Sequence, residues 1–312
     1  MERLIENRRE LYRGKAKTVY ATDDPNLLVM HYRDDVSAFD GAKLAKLELK
    51  GETNNRINAH VMGLLARAGV KTHFVRLLNE RESLVKAMKM LPVECVVRNV
   101  VAGSMAKRYG IEEGTKLAEP IFEFFLKSDA LHDPLVNDDH IRVLGWAKPD
   151  EIAQMKALTH TVNGVLKPLF AGAGIDLVDY KLEFGHTLDD PQGPIVLGDE
   201  FTPDGCRLWD AKTGEKMDKD RFRRDLGSVI EHYREVATRI GVALGLPARS
   251  QGQTRLSGKS RVRLDFFAAA SGASTLQQKK SSLTLLSPGR ATNPARSRRA
   301  PARPSPRSPR SG

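Results

Sequence analysis

Cysteine is nearly missing from this 312-residue chain: Cys95 and Cys206 are the only two, far apart and outside any CxxC spacing. That excludes a disulfide framework and a cysteine-built zinc site, and leaves two structural thiols as the plain reading. No run of about 18 apolar residues occurs, so no membrane-spanning helix is expected. The opening MERLIENRRE lacks the apolar stretch of a secretory signal, which points to a cytoplasmic protein without a membrane partner. Acids are missing from one region in particular. From Leu246 to Gly312, 14 Lys and Arg face a single acid, Asp265. This stretch holds +13 while the whole chain carries +11, so the remainder is near neutral at −2. A near-neutral body with a basic appendage is not a nucleic-acid-binding domain, and no specific nucleic-acid partner is expected.

What is present suits a globular enzyme. The 40 % of hydrophobic residues is enough to bury a sizeable core. Residues 1–90 alternate strand-like runs (LYRGKAKTVYAT, NLLVMHYRD) with turn signals, which predicts an antiparallel sheet domain. A helix follows it, with Thr53 as cap and Gly69 as stop. Residues 91–245 mix strands (VECVVRN, IDLVDYKLEF, GPIVLGDEF) with long helices, one marked by Ile152 to Leu169 and another running from Phe222 to Ile240. Residues 246–312, rich in Ser, Pro, Arg, Ala and Gly, are expected to be disordered.

Four segments carry candidate chemistry. In DLVDYKLEFG, alternation places Val178, Tyr180, Leu182 and Phe184 on one face of a strand and Asp179, Lys181 and Glu183 on the other. The polar face is either simply solvated or spans a polyphosphate and its metal ion. A second acidic strand end follows in LGDEFTPDGCRLWD. If the two strands form a hairpin, Asp199 or Glu200 approaches Glu183 or Lys181, supplying oxygen ligands for Mg²⁺ and an ammonium for phosphate. The intervening loop, GHTLDDPQG, is too long to set the register. RGKAKTVY reads either as a basic surface hairpin or as a glycine turn over a nucleotide, and it matches neither a Walker motif nor GxGxxG. In VECVVRNVVAGSMAKRYG, Arg98, Gly103 and Ser104 suggest an anion site at a helix start, while Ser104 alone reads as a helix cap.

Taken together, MLPVECVVRNVVAGS and LVDYKLEFG resemble the two signature segments of the SAICAR synthetase family. RGKAKTVY, SAFDG, KGETNNRIN, HDPLVND, LGDEFTPDGCRLWD and KMDKDRFR extend the resemblance, in family order, over about residues 11–243. The resemblance implies an α+β fold of two lobes, a small N-terminal antiparallel sheet domain and a larger α/β domain, distantly kinase-like. It implies an ATP-dependent ligase that joins L-aspartate to the carboxylate of carboxyaminoimidazole ribonucleotide through an acyl phosphate, with Mg²⁺. By position it gives Gly14, Lys15, Ala16, Lys17 and Lys181 to the nucleotide, and Glu183 and Asp199 to Mg²⁺. Arg98, Ser104 and Arg207 fall to the ribotide 5′-phosphate and Asp204 to its ribose. Lys181, Asp40 and Asp179 fall to catalysis, and the assembly to a homo-oligomer, a dimer. The basic extension departs from the family, whose bacterial members usually end after the last helix. The alternatives are a kinase-like phosphotransferase that forms no amide and a binding protein that acts through its basic tail.

Overall fold

A computed structural model describes residues 8–39 and 41–245, so Asp40 and the basic segment 246–312, with the disorder expected of it, lie outside the described residues. The described residues belong to one compact unit built on two antiparallel sheets.

The first sheet contains β1 (Glu10–Arg13), β2 (Lys17–Ala21), β3 (Leu27–Tyr32), β6 (Phe74–Leu77) and β7 (Glu82–Lys86) in the order β1-β2-β3-β7-β6. Between β3 and β6 come a small hairpin, β4 (Asp35–Ala38) with β5 (Lys43–Lys46), and the helix α1 (Lys50–Arg67). That helix begins three residues before the expected Thr53 cap. Thr53 turns inward instead, its hydroxyl donating to the Leu49 carbonyl at 2.8 Å. The cap comes from elsewhere in the chain: Asp34 accepts the Gly51 N–H at 2.9 Å and is itself held by Arg81 at 2.7 and 2.9 Å. Gly51 is required there, because a Cβ would lie 2.3 Å from the Tyr32 carbonyl oxygen.

Ala87 separates the first sheet from the second, which is built on two 13-residue strands, β8 (Met88–Val100) and β11 (Ile175–Thr187). β9 (Lys116–Leu126) and β10 (Leu135–Val136) extend it on the β8 side, β12 (Val196–Gly198) and β13 (Cys206–Asp210) on the β11 side. The helices are α2 (Gly103–Tyr109), α3 (Asp138–Val143), α4 (Pro149–Gly172), α5 (Asp220–Arg223) and α6 (Val229–Arg239). Met155, Val162 and Leu166 of α4 enter a core shared with Val93, Cys95 and Val97 of β8 and Leu182 and Phe184 of β11, all essentially buried. Truncating Met155, Leu166, Leu182 or Phe184 to Ala would cost about 2–5 kcal/mol when the site cannot collapse.

Two expectations are corrected here. The apolar stripe from Phe222 to Ile240 is two helices, because Asp225, Gly227 and Ser228 all take positive φ, which ends a right-handed helix. Arg221 fixes the break by donating to the carbonyls of Leu226 and Gly227 at 2.9 and 2.7 Å. In β11, Val178 does not share a cluster with Tyr180, Leu182 and Phe184. The pairing with β13 slips between Leu177 and Asp179, so Val178 packs with Val100, Ala102 and Trp209, while Leu177 joins the main core.

Candidate active site

The central strand β11 lays the site out. Asp179, Lys181 and Glu183 alternate along it, yet their face is not bathed in solvent: Asp179 and Glu183 are 3 % and 5 % exposed. Asp179 and Lys181 line a cavity of about 610 Å³ together with Arg98, Arg207, Asp204 and Lys15. A volume of this size suits a ligand-binding cleft.

At the Glu183 end, the register Glu183↔Gly198 makes β11 and β12 the expected hairpin and carries Asp199 just beyond the pair. Asp199 takes φ +53°, a conformation a non-glycine residue adopts only under tertiary constraint. Lys17 of β2 donates to Asp199 and lies 3.1 Å from Glu200. Lys181 donates to Glu94 at 2.6 Å and reaches Glu183 at 3.4 Å, while Lys127 donates to the other Glu183 oxygen. Burial alone would raise the Asp199 pKa, but Lys17 and then Lys181 outweigh it and hold the carboxyl well below its usual range. Lys17 mirrors this: burial opposes its charge, and Asp199 and Glu200 overcome that, so the ammonium persists at any physiological pH. Glu200 is raised, burial prevailing over the pull of Lys17.

The glycine turn Gly14–Ala16 joins β1 to β2, with Gly14 N–H donating to the Lys17 carbonyl at 2.9 Å. Arg33, to which the sequence reading gave no role, clamps this turn by donating to the carbonyls of Gly14 and Lys17, each at 2.7 Å. Lys15 reaches across to Asp129 at 2.9 Å. The turn is therefore not an isolated surface hairpin, since Lys15 within it and Lys17 just after it reach carboxylates of the second sheet's segment.

At the Asp179 end two arginines converge. Asp179 Oδ2 accepts from Arg98 at 2.9 Å and from Arg207 at 2.8 Å. Glu123 takes the other side of Arg98 at 2.6 Å and Asp220 takes Arg207 at 2.9 Å. Ser104 does not cap α2: the N-cap is Ala102, without a side-chain bond, and the Ser104 hydroxyl accepts from Arg98 at 3.3 Å and Arg108 at 3.1 Å. Gly103 has φ +57°, and a Cβ there would lie 2.4 Å from the Arg207 guanidinium, so glycine lets that guanidinium rest on the start of α2. Two forked donors beside the start of a helix have the chemistry to receive an oxyanion, though here both guanidinium groups are paired with carboxylates.

Asp204, between the two ends, is held by the buried Lys50 at 2.5 Å, Asn54 at 2.9 Å and the Tyr233 hydroxyl at 2.9 Å. Burial would raise its pKa, but Lys50 foremost brings it down to about 2. The thiols of Cys95 and Cys206 are buried and pushed up by that burial, which makes them poor nucleophiles, as expected of structural cysteines.

The structure thus gathers Lys15, Lys17, Lys181, Glu183 and Asp199 at one end and Arg98, Ser104, Asp179 and Arg207 at the other. Arg33, Glu94, Glu123, Lys127 and Asp220, which hold these groups, escaped the sequence reading. Asp220 lies in KMDKDRFR, whose residues carry no assigned role in the sequence; the others carry no local signal, because their partners are 16 to 87 positions away.

The fold is α+β, with a cavity lined by charged side chains along its central strand. The chain belongs to the SAICAR synthetase family, whose model matches residues 10–240. It is 62 % identical over 240 residues to a phosphoribosylaminoimidazole-succinocarboxamide synthase of Alteromonas mediterranea, a match spanning 77 % of this chain and 100 % of that one. The crystal structure of the synthase from Ehrlichia chaffeensis is similar at a TM-score of 0.74 and 44 % identity, covering 76 % of this chain and all of that one. A SAICAR synthetase solved in complex with ADP is similar at a TM-score of 0.71 and 46 % identity, covering 74 % and 97 %. These relatives are ligases of purine biosynthesis, and none of the three supports the phosphotransferase alternative. Among the described residues no helix is long and apolar enough to cross a membrane.

Proposed function

We propose that the chain couples ATP cleavage to amide formation between L-aspartate and the 4-carboxylate of carboxyaminoimidazole ribonucleotide, releasing SAICAR, ADP and phosphate. The observation that carries this is the arrangement along β11. A phosphate-type receptor at Asp179 and a lysine–carboxylate cluster at Glu183 lie four residues apart on one strand, so two anionic substrates meet over Lys181.

In this reading Arg98, Ser104 and Arg207 hold the ribotide 5′-phosphate, and Asp179 acts as a positioning residue that aims both guanidinium groups. Asp204, fixed on three sides, presents its remaining acceptor capacity to the ribose. The turn Gly14–Lys17 and Lys181 hold the ATP phosphates. A ribotide carboxylate oxygen attacks the γ-phosphorus and the bond to the β-phosphate oxygen breaks, giving ADP and an acyl phosphate. The aspartate amine then attacks the carbonyl carbon. The C–O bond breaks, phosphate leaves with that oxygen, and the nitrogen gives up a proton. A carboxylate itself resists this attack because oxide is a hopeless leaving group; alignment and charge neutralisation are what the protein adds. With Asp179 tied to two arginines, Asp40 is the candidate acceptor for that proton.

Glu183 and Asp199 fit Mg²⁺ by their chemistry: hard carboxylate oxygens, one held firmly ionised, balanced by lysines in this structure. Among the described residues no three His, Cys, Asp or Glu side chains converge into a metal cluster. Substrate phosphate and water would complete the shell, as Mg²⁺ prefers. When bound, the ion neutralises charge on the transferring phosphoryl group. The family resemblance also supports a cytoplasmic homodimer, with residues 1–90 as the nucleotide lobe and residues 91–245 as the substrate lobe.

The test is a coupled ADP assay with each substrate omitted in turn, followed by ¹⁸O labelling of the ribotide carboxylate. One label should appear in inorganic phosphate per amide formed. Unlabelled phosphate rules out the acyl phosphate, and ADP release that ignores aspartate rules out the ligase.

A further inference from the structure

We propose that Asn58 of α1 is a positioning residue for Asp199, aiming the carboxylate offered to Mg²⁺ through the backbone of Phe201. The proposal rests on the metal assignment above and gives a role to a buried residue that the ligase reading leaves without one.

A non-glycine residue stays at positive φ only while its surroundings hold it there, and Asp199 has φ +53°. Two tethers flank it. On the N-terminal side Leu197 is clasped by the segment before β6, its N–H donating to the Lys71 carbonyl at 3.0 Å and its carbonyl accepting the His73 N–H at 2.8 Å. On the C-terminal side the buried Phe201 N–H donates to Asn58 Oδ1 at 2.9 Å. The Phe201 ring is lodged in the core, its centroid 5.9 Å from that of Phe170 and 5.6 Å from that of Tyr180. Ring and amide are therefore fastened separately, and the amide is what orients the peptide that leads back to Glu200 and Asp199.

One face of α1 is given over to this segment. Lys50, Asn54 and Asn58 recur every four residues, so they share that face, and each is at most 1 % exposed. The first two grip Asp204 at 2.5 and 2.9 Å, and the third takes Phe201. A polar stripe is unusual on a buried helix face, where apolar residues such as the neighbouring Ile57, Val61 and Leu65 fill the core. The Asn58 amide nitrogen is also buried without a hydrogen-bond partner among the described residues, as is one carboxylate oxygen of Glu200. A side chain kept for stability alone would be apolar or fully satisfied, so one retained half-satisfied points to the placement of what it holds. Asn55 supplies the contrast. Equally buried on the same helix, it donates to the carbonyls of Asn79 and Glu80 at 3.1 and 3.0 Å and accepts from Ser83 at 2.5 Å, which ties α1 to β7 and the turn before it, away from Asp199.

Asn58→Ala and Asn55→Ala are compared in the full chain. Mn²⁺, a paramagnetic substitute for Mg²⁺, is titrated in the presence of ADP, and the free ion is read by electron paramagnetic resonance. Asn58→Ala should weaken Mn²⁺ binding about 10-fold or more, the usual result of disturbing a group that holds a metal ligand in place. The Mg²⁺ concentration for half-maximal turnover should rise in step, while KM for the ribotide at saturating Mg²⁺ stays within about threefold. Asn55→Ala, which strips more buried hydrogen bonds from α1, should lower the melting temperature at least as far and leave Mn²⁺ affinity within about twofold, since it orients no metal ligand. Where Asn58→Ala does not fold, Asn58→Ser, polar but too short to reach Phe201, takes its place with the same expectation. Mn²⁺ affinity equal to wild type in the Asn58 variant overturns the proposal. So does an equal loss in the Asn55 and Asn58 variants, which would make Asn58 a packing residue and nothing more. If Asp199→Asn leaves Mn²⁺ binding unchanged, the metal assignment itself falls and takes the proposal with it.

Discussion

At Asp199 a single side chain is asked to stay ionised while partly buried, in a backbone conformation that only tertiary structure stabilises. Its amide analogue is nearly isosteric but neutral, so it tests charge rather than packing. Asp199→Asn should fold and lose turnover on the order of 10²-fold or more, as when other electrostatic stabilisers are removed. Turnover within threefold of wild type at saturating Mg²⁺ would end the metal assignment. Lys17 is the internal control: relieved of its counter-charge, it remains close to Glu200, so the variant should keep its ATP affinity better than its rate. Asp204 makes a complementary case in solution pH. Its folded pKa of about 2 lies below the ordinary value near 3.9, so its contribution, about 2–3 kcal/mol, is complete above pH ~4 and is lost as pH falls toward 2. Asp204→Asn should flatten acid unfolding in that window, measured by denaturant melts at stepped pH. It should also destabilise at neutral pH, because Lys50 is 1 % exposed and would lose its counter-ion.

Among the elements, α1 shows how a helix start can be set by a distant residue. Its N-terminus is served by Asp34, seventeen positions before Gly51, and the same carboxylate is forked by Arg81. Burial would raise the Asp34 pKa, but the Arg81 and Gly51 hydrogen bonds outweigh it, so the interaction persists at neutral pH. Asp34→Ala should cost about 1–2 kcal/mol, the loss of a helix cap with a partly exposed ion pair discounted for solvent. That amounts to a fall of roughly 2–8 °C in melting temperature. The lysine-bearing turn stands on the neighbouring strands, so ATP KM should rise with it; an unchanged melting temperature would show the cap to be idle. Thr53→Ala, by contrast, removes only an internal bond to Leu49 and should have the smaller effect.

For the whole molecule, the family match ends at residue 240 and the last described helix, α6, ends at Arg239. The basic stretch beyond Gly245 has no amphipathic pattern that would dock on the body. Truncation after Gly245 should therefore leave activity and melting temperature nearly unchanged. A drop of more than a few degrees by calorimetry would show that this stretch packs. If it serves nucleic acid instead, affinity should fall steeply with salt and vanish in the truncated chain.

The sequence by itself determined strands β1–β3, β8, β11 and β12, most helices and the polar residues of β11, because periodicity and turn chemistry are local. It also carried the family resemblance, since RGKAKTVY, VVRNVVAGS and DYKLEFG are contiguous. What the tertiary structure alone decided are matters of distance across the chain. The GHTLDDPQG loop does not fix which acid meets Glu183; the register Glu183↔Gly198 does. Ser104 has a cap's sequence position, but Arg98 and Arg108, brought beside it, claim its hydroxyl. The stripe from Phe222 to Ile240 keeps helical spacing through a break enforced by Arg221. In each case a local preference worth about 1 kcal/mol is overridden by charged hydrogen bonds and burial that exist only once distant segments meet.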